Sequence, residues 1–287
     1  MSILEAIVLG VVQGLTEFLP VSSTAHLRVV PALLGWDDPG AAYSAVIQTG
    51  TLAAVCLALR QDIAALLRGT LSALAAGRPF ATAEARLAWL IVAGTVPIVA
   101  AGFAFKEVIR GELRRLDVVV AALLAATALM AFAEVVCLVR ARRRGAGGRD
   151  GLESITVGDG LVMGLAQTLA LVPGTSRSGV TIAAGMLAGL DRRTAARFSF
   201  LLSLPAIAAA ALLEAWQQRA DILGSGPQAL ALLVGTVTAA VVGYAAVRWL
   251  LGMLTGHTLW PFIVYRFGLA ALLAWSLVSG WVAAPAV

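Results

Sequence analysis

Charge is scarce in this chain. Asp, Glu, Lys and Arg make up 13% of its 287 residues, against about 25% in an ordinary soluble domain, so they cannot cover a water-facing globule. Lysine is almost missing: Lys106 is the only one. No basic patch interleaved with aromatics is present, and nucleic acid is excluded as a partner on that ground. Cysteine is limited to Cys56 and Cys137, both inside apolar stretches. That excludes a disulfide framework and a cysteine-based zinc site, and both are expected as small buried hydrophobes. The N-terminal apolar stretch lacks a basic start and carries Glu5 and Glu17, so it does not read as a signal peptide.

What fills the chain is apolar. Hydrophobic residues make up 60% and the mean hydropathy is +0.91. The apolar runs are long, and rich in Ala, Leu and Val rather than alternating in pattern, which predicts membrane-spanning helices and not a barrel. The net charge of +5 then belongs to short loops on the cytoplasmic side.

The runs divide into two similar halves. Residues 3–34 are broken at Pro20 with Glu17 just before it, too short on either side for the roughly 20 residues a span needs. They read as a re-entrant helix hairpin, whose irregular turn must be shielded by protein or a water cavity. Spans are expected at 42–59, 87–105 and 118–139, with 60–86 a basic loop, completing a first repeat over 1–140. A basic, glycine-rich linker covers 141–157. A second repeat over 158–287 has a hairpin at 159–190 and spans at 194–214, 227–250 and 259–282. Gly10-Val11-Val12-Gln13 aligns with Gly164-Leu165-Ala166-Gln167 at an offset of 154, and Pro20-Val21-Ser22-Ser23 with Pro173-Gly174-Thr175-Ser176 at 153. Three spans per half is odd, so the halves insert with opposite topology. The expected fold is an all-α polytopic membrane protein of two inverted repeats and six spans, with a site near the midplane between them.

Basic residues concentrate in 60–86, 140–157, 191–197 and 248–259, which places both termini outside. Trp36, Trp89, Trp216, Trp249, Trp260 and Trp281 fall at span ends, as an interfacial belt requires. Gly235, Ala239 and Gly243 permit close helix packing, serving a homodimer as well as a monomer.

Two polar knots interrupt this apolar background. The first, Gln13 to His26, holds Gln13, Glu17, Ser22, Ser23, Thr24 and His26. The second, Pro173 to Gly179, holds Gly174, Thr175, Ser176, Arg177, Ser178 and Gly179. Ionisable groups at membrane depth default to function. Gln13 and Glu17 share a helix face, as do Ser22 and His26, and Ser23 can also meet His26. A serine beside a histidine is a minimal nucleophile and base. Ser22 or Ser23 could instead cap a helix. Arg177 can grip phosphate bidentately, or simply pair with Glu17. Hydroxyls and glycines at a helix start favour an anion. Glu17 with Gln13 is thin ligation for a metal, yet suits Mg²⁺ or Ca²⁺ sharing substrate phosphate oxygens. Glu134, Glu214 and His257 sit at span ends or in a loop and read as non-catalytic.

With both knots in view, the chain closely resembles the undecaprenyl-diphosphatase family of the bacitracin-resistance type. The resemblance runs over essentially its whole length. It implies removal of the terminal phosphate from undecaprenyl diphosphate, a long-chain prenyl diphosphate lipid, recycling the carrier for cell-wall synthesis and giving bacitracin resistance. It implies a Mg²⁺ or Ca²⁺ requirement and a place among the lipids of the bacterial inner membrane. The acidic motif of the family, Glu or Gln followed by any three residues and then Glu, is met by Gln13 and Glu17 in its amide form. Ala25 stands where glycine is common. Carried over, Ser23 is the nucleophile, His26 its base and Arg177 the transition-state cation, with Ser22, Thr24, Gly174, Thr175, Ser176 and Ser178 around the phosphate. His26 as the nucleophile, or as base for direct attack by water, is the rival. A prenyl-diphosphate flippase is the alternative function, since the same inverted architecture serves transporters.

Overall fold

The computed structural model describes residues 1–37, 40–144, 148–217 and 226–279. Gly145, Ala146 and Gly147 of the linker, Arg219 and Trp281 lie outside the described residues, as do the last residues of the final span. Twelve α-helices are described: α1 (Ile3–Phe18), α2 (Ser23–Leu34), α3 (Gly40–Ala58), α4 (Arg60–Ala75), α5 (Ala83–Ala104), α6 (Lys106–Arg110), α7 (Leu116–Arg144), α8 (Val157–Gln167), α9 (Arg177–Leu187), α10 (Arg192–Gln217), α11 (Gly226–Met253) and α12 (Trp260–Ser279). A 3₁₀ turn, Thr168–Leu171, follows α8. The chain is an all-α polytopic membrane protein.

Each broken helix pair is laid out by the same local devices. Ser2 and Glu5 form a capping box that starts α1, and Thr156 and Asp159 form one that starts α8. Ser22 and Ser176, just before α2 and α9, both take left-handed backbone angles, with φ of 78° and 69°. Gly35 and Gly189 end α2 and follow α9 at φ of 68° and 100°. All three pairs are 154 residues apart, so the backbone conformation repeats at that offset. At the break, Ser176 corresponds to Ser22 rather than to Ser23, the match expected at an offset of 153. Positive φ costs a serine about 1–3 kcal/mol and persists only where the surroundings impose it.

The pairs are held by close helix packing. α1 lies on α11, and α8 on α5. A Cβ on Gly10 would stand 2.5 Å from the Gly235 carbonyl oxygen, and one on Gly164 2.6 Å from the Gly94 Cα. Gly235, Ala239 and Gly243 therefore meet Gly10 and Gly14 of the same chain, and this small-residue stripe is used internally. Where the hairpins and spans meet, Phe18, Val55, Met130, Met163, Phe198 and Ile263 share one buried core. Phe18 and Phe200 pack edge to face at 5.2 Å.

Five helices, α5, α7, α10, α11 and α12, are long and apolar enough to cross a membrane. A sixth candidate is the pair α3 and α4, which meets the same test of length and composition only when taken together and is bent by 76°. This corrects the expected loop over 60–86, whose first half is helical. Leu67, Leu71 and Leu74 are exposed along one side of α4 while Arg60 and Arg68 supply polarity, the pattern of a helix lying in an interface. Cys137 is buried as expected, but Cys56 is exposed on the outer surface of α3. Glu134, fully buried, forms an ion pair with Arg192 and accepts from the Leu259 N–H at 3.2 Å. Arg197 pairs with Asp62 and Arg149 with Asp159. These three arginines tie helices together at the end expected to face the cytoplasm. His257 is exposed, with Nδ1 donating to the Met253 carbonyl at 3.2 Å.

Candidate active site

The two breaks meet. Glu17, on the last turn of α1, projects toward the start of α9 and is ion-paired through Oε1 with the Arg177 guanidinium. Its other oxygen, Oε2, accepts from the Ser23 hydroxyl at 2.8 Å and from the Gln13 amide at 2.9 Å. The α1 spacing puts Gln13 one turn behind Glu17, while the Pro20 to Ser22 turn folds Ser23 back over it. Gln13 is fully buried, and its Oε1 has no hydrogen-bond partner among the described residues.

His26 is held elsewhere. Its Nδ1 lies 2.7 Å from the Ser22 carbonyl, which can only accept, so Nδ1 carries the proton. Nε2 then accepts from the Tyr265 hydroxyl at 2.6 Å, and the two rings stack at 5.6 Å. Both nitrogens are engaged, and the hydrogen-bond partner of Ser23 is Glu17. Ser22 makes no side-chain cap; its hydroxyl lies 3.2 Å from that of Thr24. Ser176 does cap, accepting from the Gly179 N–H at 3.2 Å. Ser178 donates to the Leu19 carbonyl at 3.3 Å and so ties the second break to the first. Gly174 has φ of 95°, and a Cβ there would stand 2.5 Å from the Val119 carbonyl oxygen, which accounts for glycine at that point.

A cavity of about 420 Å³ opens over this cluster. Glu17, Ser22, Ser23, Thr24, Ser176 and Arg177 line its polar end. Ile98, Val99 and Phe103 of α5 and Ala206, Ala210 and Leu213 of α10 form an apolar wall. Gln13, His26, Gly174, Thr175 and Ser178 stand behind this lining and not on it. Three residues the sequence reading did not assign belong to the site. Tyr265 engages His26. Lys106 lines the cavity and makes no ion pair among the described residues. Arg266 is fully buried beneath both breaks. The last carried a usable signal, an arginine within an apolar span.

Ser23 and Arg177, the first residues of α2 and α9, both line this cavity with Glu17 between them. Backbone N–H groups, a guanidinium and hydroxyls around an apolar channel suit a phosphate with a long hydrocarbon tail. A hydroxyl bonded to a carboxylate suits nucleophilic attack.

Comparison with known proteins agrees with this chemistry. The family described as bacitracin resistance protein BacA matches residues 6–272. A protein of Chlorobium phaeobacteroides named undecaprenyl-diphosphatase is 47% identical over 99% of this chain and 100% of its own. Proteins of the same name from Chlorobaculum tepidum and Chlorobium chlorochromatii are 48% and 45% identical. They cover 93% and 98% of this chain and 94% and 99% of their own. With a match of this length, the chain belongs to the bacitracin resistance protein BacA family.

Proposed function

We infer that the chain hydrolyses undecaprenyl diphosphate to undecaprenyl phosphate and inorganic phosphate, and that Ser23 performs the attack with Glu17 as its base. One observation carries the chemistry: the Ser23 hydroxyl donates to a carboxylate that is itself paired with the arginine at the other helix start. The prenyl tail lies along Ile98, Val99, Phe103 and Leu213, and the diphosphate enters the polar end. Arg177 exchanges its carboxylate partner for oxygens of the terminal phosphate, while Lys106 faces the inner phosphate. Ser23 Oγ bonds to the terminal phosphorus, its proton passes to Glu17 Oε2, and the bond to the bridging oxygen breaks. Undecaprenyl phosphate leaves. Glu17 gives up that proton to solvent. Water then attacks the phosphoserine with its proton passing to Glu17 Oε2, the bond from phosphorus to Ser23 Oγ breaks as Glu17 returns the proton to Oγ, and phosphate departs. Transition-state charge is met by fixed donors: Arg177 and the N–H groups opening α2 and α9. In this reading His26 is a positioning group. Its bond to the Ser22 carbonyl shapes the strained turn that presents Ser23.

A divalent cation fits the donor set. Among the described residues no three His, Cys, Asp or Glu side chains converge, so a site built wholly from protein is not supported. The orphaned Gln13 Oε1 and the Glu17 carboxylate are hard oxygen donors that could hold Mg²⁺ or Ca²⁺ together with phosphate oxygens. Such an ion would neutralise phosphate charge as a Lewis acid. In purified protein in detergent, phosphate release from a long prenyl diphosphate is expected to stop on chelation and return with Mg²⁺. Gln13→Ala is expected to need roughly tenfold more Mg²⁺ for half-maximal rate, on the scale of losing one ligand-supporting group. Full activity in excess chelator would remove the cation from this account.

We further propose insertion in the bacterial cytoplasmic membrane with both termini outside, supported by the arginines in 60–86, 140–157, 191–197 and 248–259. In a Cys56→Ala, Cys137→Ala background, Ser2→Cys is expected to react with an impermeant maleimide in intact cells. Arg142→Cys is expected to react only after permeabilisation. The reverse pattern would invert the orientation.

A further inference from the structure

We propose that Arg266 is a positioning residue that sets the spacing of the two phosphate-facing breaks. It lies on α12, fully buried, with no carboxylate partner among the described residues. Its guanidinium donates instead to carbonyl oxygens from both halves of the site. Nη1 reaches Pro20 of the first break at 3.4 Å, and Nη2 reaches Gly174 and Thr175 of the second at 3.1 Å each. The remaining donors anchor it on α7: Nε to the Thr127 hydroxyl oxygen at 2.8 Å and Nη2 to the Leu123 carbonyl at 3.2 Å. The Thr127 proton is committed to the Leu123 carbonyl at 2.6 Å, which leaves its lone pairs facing Arg266.

A broken helix in a membrane strands carbonyls that water cannot reach, and each stranded group is costly. Two such breaks meet here, and one planar five-donor group joins them. Pro20 lies three residues before Ser23, and Thr175 two residues before Arg177. A shift of either carbonyl therefore moves the nucleophile relative to the cation that must meet the phosphate. Lysine cannot replace this, because its ammonium cannot span carbonyls of both breaks and the α7 anchor together. Arg266 touches no reacting atom in this arrangement, and it adjoins Tyr265, which engages His26, so α12 supports the first knot at two successive positions.

This inference rests on the cavity being the reaction site. The test compares Arg266→Lys with wild type in phosphate release by purified protein, with Arg177→Lys measured alongside. A displacement of about 1 Å costs on the order of 100-fold in rate. Arg266→Lys is thus expected to lose about 100-fold in kcat per folded molecule, with KM changed far less. The Arg266→Lys, Arg177→Lys double variant is expected to lose less than the product of the single losses, because both act on one alignment. A merely structural role would lower the melting temperature or folded yield and leave kcat per folded molecule unchanged, and that result would overturn the proposal. Multiplicative losses in the double variant would also overturn it. Should Arg266→Lys fail to fold, Thr127→Val decides, since it removes one anchor while keeping the arginine. A kcat about tenfold lower supports the proposal, and an unchanged kcat overturns it. If Arg177→Lys itself retains full kcat, the site assignment falls and the positioning role falls with it.

Discussion

Ser23→Ala is expected to lower kcat for phosphate release by about 10⁴-fold or more, the scale seen when a nucleophile is deleted from an otherwise intact site. The substitution removes the only hydroxyl among the described residues that donates to Glu17 and leaves binding through Arg177 and the helix starts in place, so KM is expected to move little. Stability is expected to change by about 1 kcal/mol, the worth of one hydrogen bond, because Ser23 is half-buried at the cavity edge. Ser22→Ala is the matched control. Among the described residues its hydroxyl meets only that of Thr24, and its loss is expected to cost less than tenfold. Steady-state kinetics on the two variants checks this, and a larger loss at Ser22 than at Ser23 would move the nucleophile.

Arg177→Ala is expected to fail in two separable ways. Its catalytic loss is expected to be about 10³–10⁵-fold, as for an arginine that meets transition-state charge. Its stability loss follows from Glu17, whose side chain is 2% exposed and would be left as an unpaired buried carboxylate. Breaking such a pair costs about 3–5 kcal/mol when both partners are buried. The low end, about 3 kcal/mol, applies because Arg177 is 20% exposed and partly screened. Glu17→Gln combined with Arg177→Ala removes both charges. The double variant is expected to regain most of the melting temperature and none of the activity. Thermal unfolding and phosphate release, measured on the same preparations, separate the two effects. A double variant no more stable than Arg177→Ala would mean that the pair contributes nothing to folding.

The parts of the site legible in the sequence were those that polarity marks. In a chain this apolar, Glu17, His26 and Arg177 stand out because charge within a membrane is expensive. The breaks stand out because Pro20 and the glycine at 174 cannot continue a helix at those angles. Helical spacing correctly put Gln13 behind Glu17, but it could not say which groups Ser23 and His26 would choose. Residues three and four apart share a face, yet His26 turned to the backbone of Ser22 and to Tyr265, 239 positions away. Ser23, carried round by the left-handed angle at Ser22, turned back to Glu17. That partner choice depends on tertiary placement, which no local pattern encodes. The same limit hid Arg266: its charge was visible, while its acceptors came from Pro20, Gly174 and Thr175 in distant segments. In α4, arginines among leucines read as a loop because an interfacial helix lacks the continuous apolar run of a span. Cys56 was expected inside because cysteine is usually buried in water-soluble proteins. In a membrane the outer surface is itself apolar, and exposure there is cheap.

The central claim is that Ser23, activated by Glu17, takes the terminal phosphate before water does. Rapid quenching of enzyme with prenyl diphosphate carrying a labelled terminal phosphate, followed by peptide mapping, tests it most directly. Parallel samples are quenched in acid, which preserves phosphoserine, and in base, which preserves phosphohistidine. Label is expected on the peptide containing Ser23, assigned to that serine and absent from the Ser23→Ala protein. Label on His26, or a complete single turnover in which the protein never carries label, would contradict it.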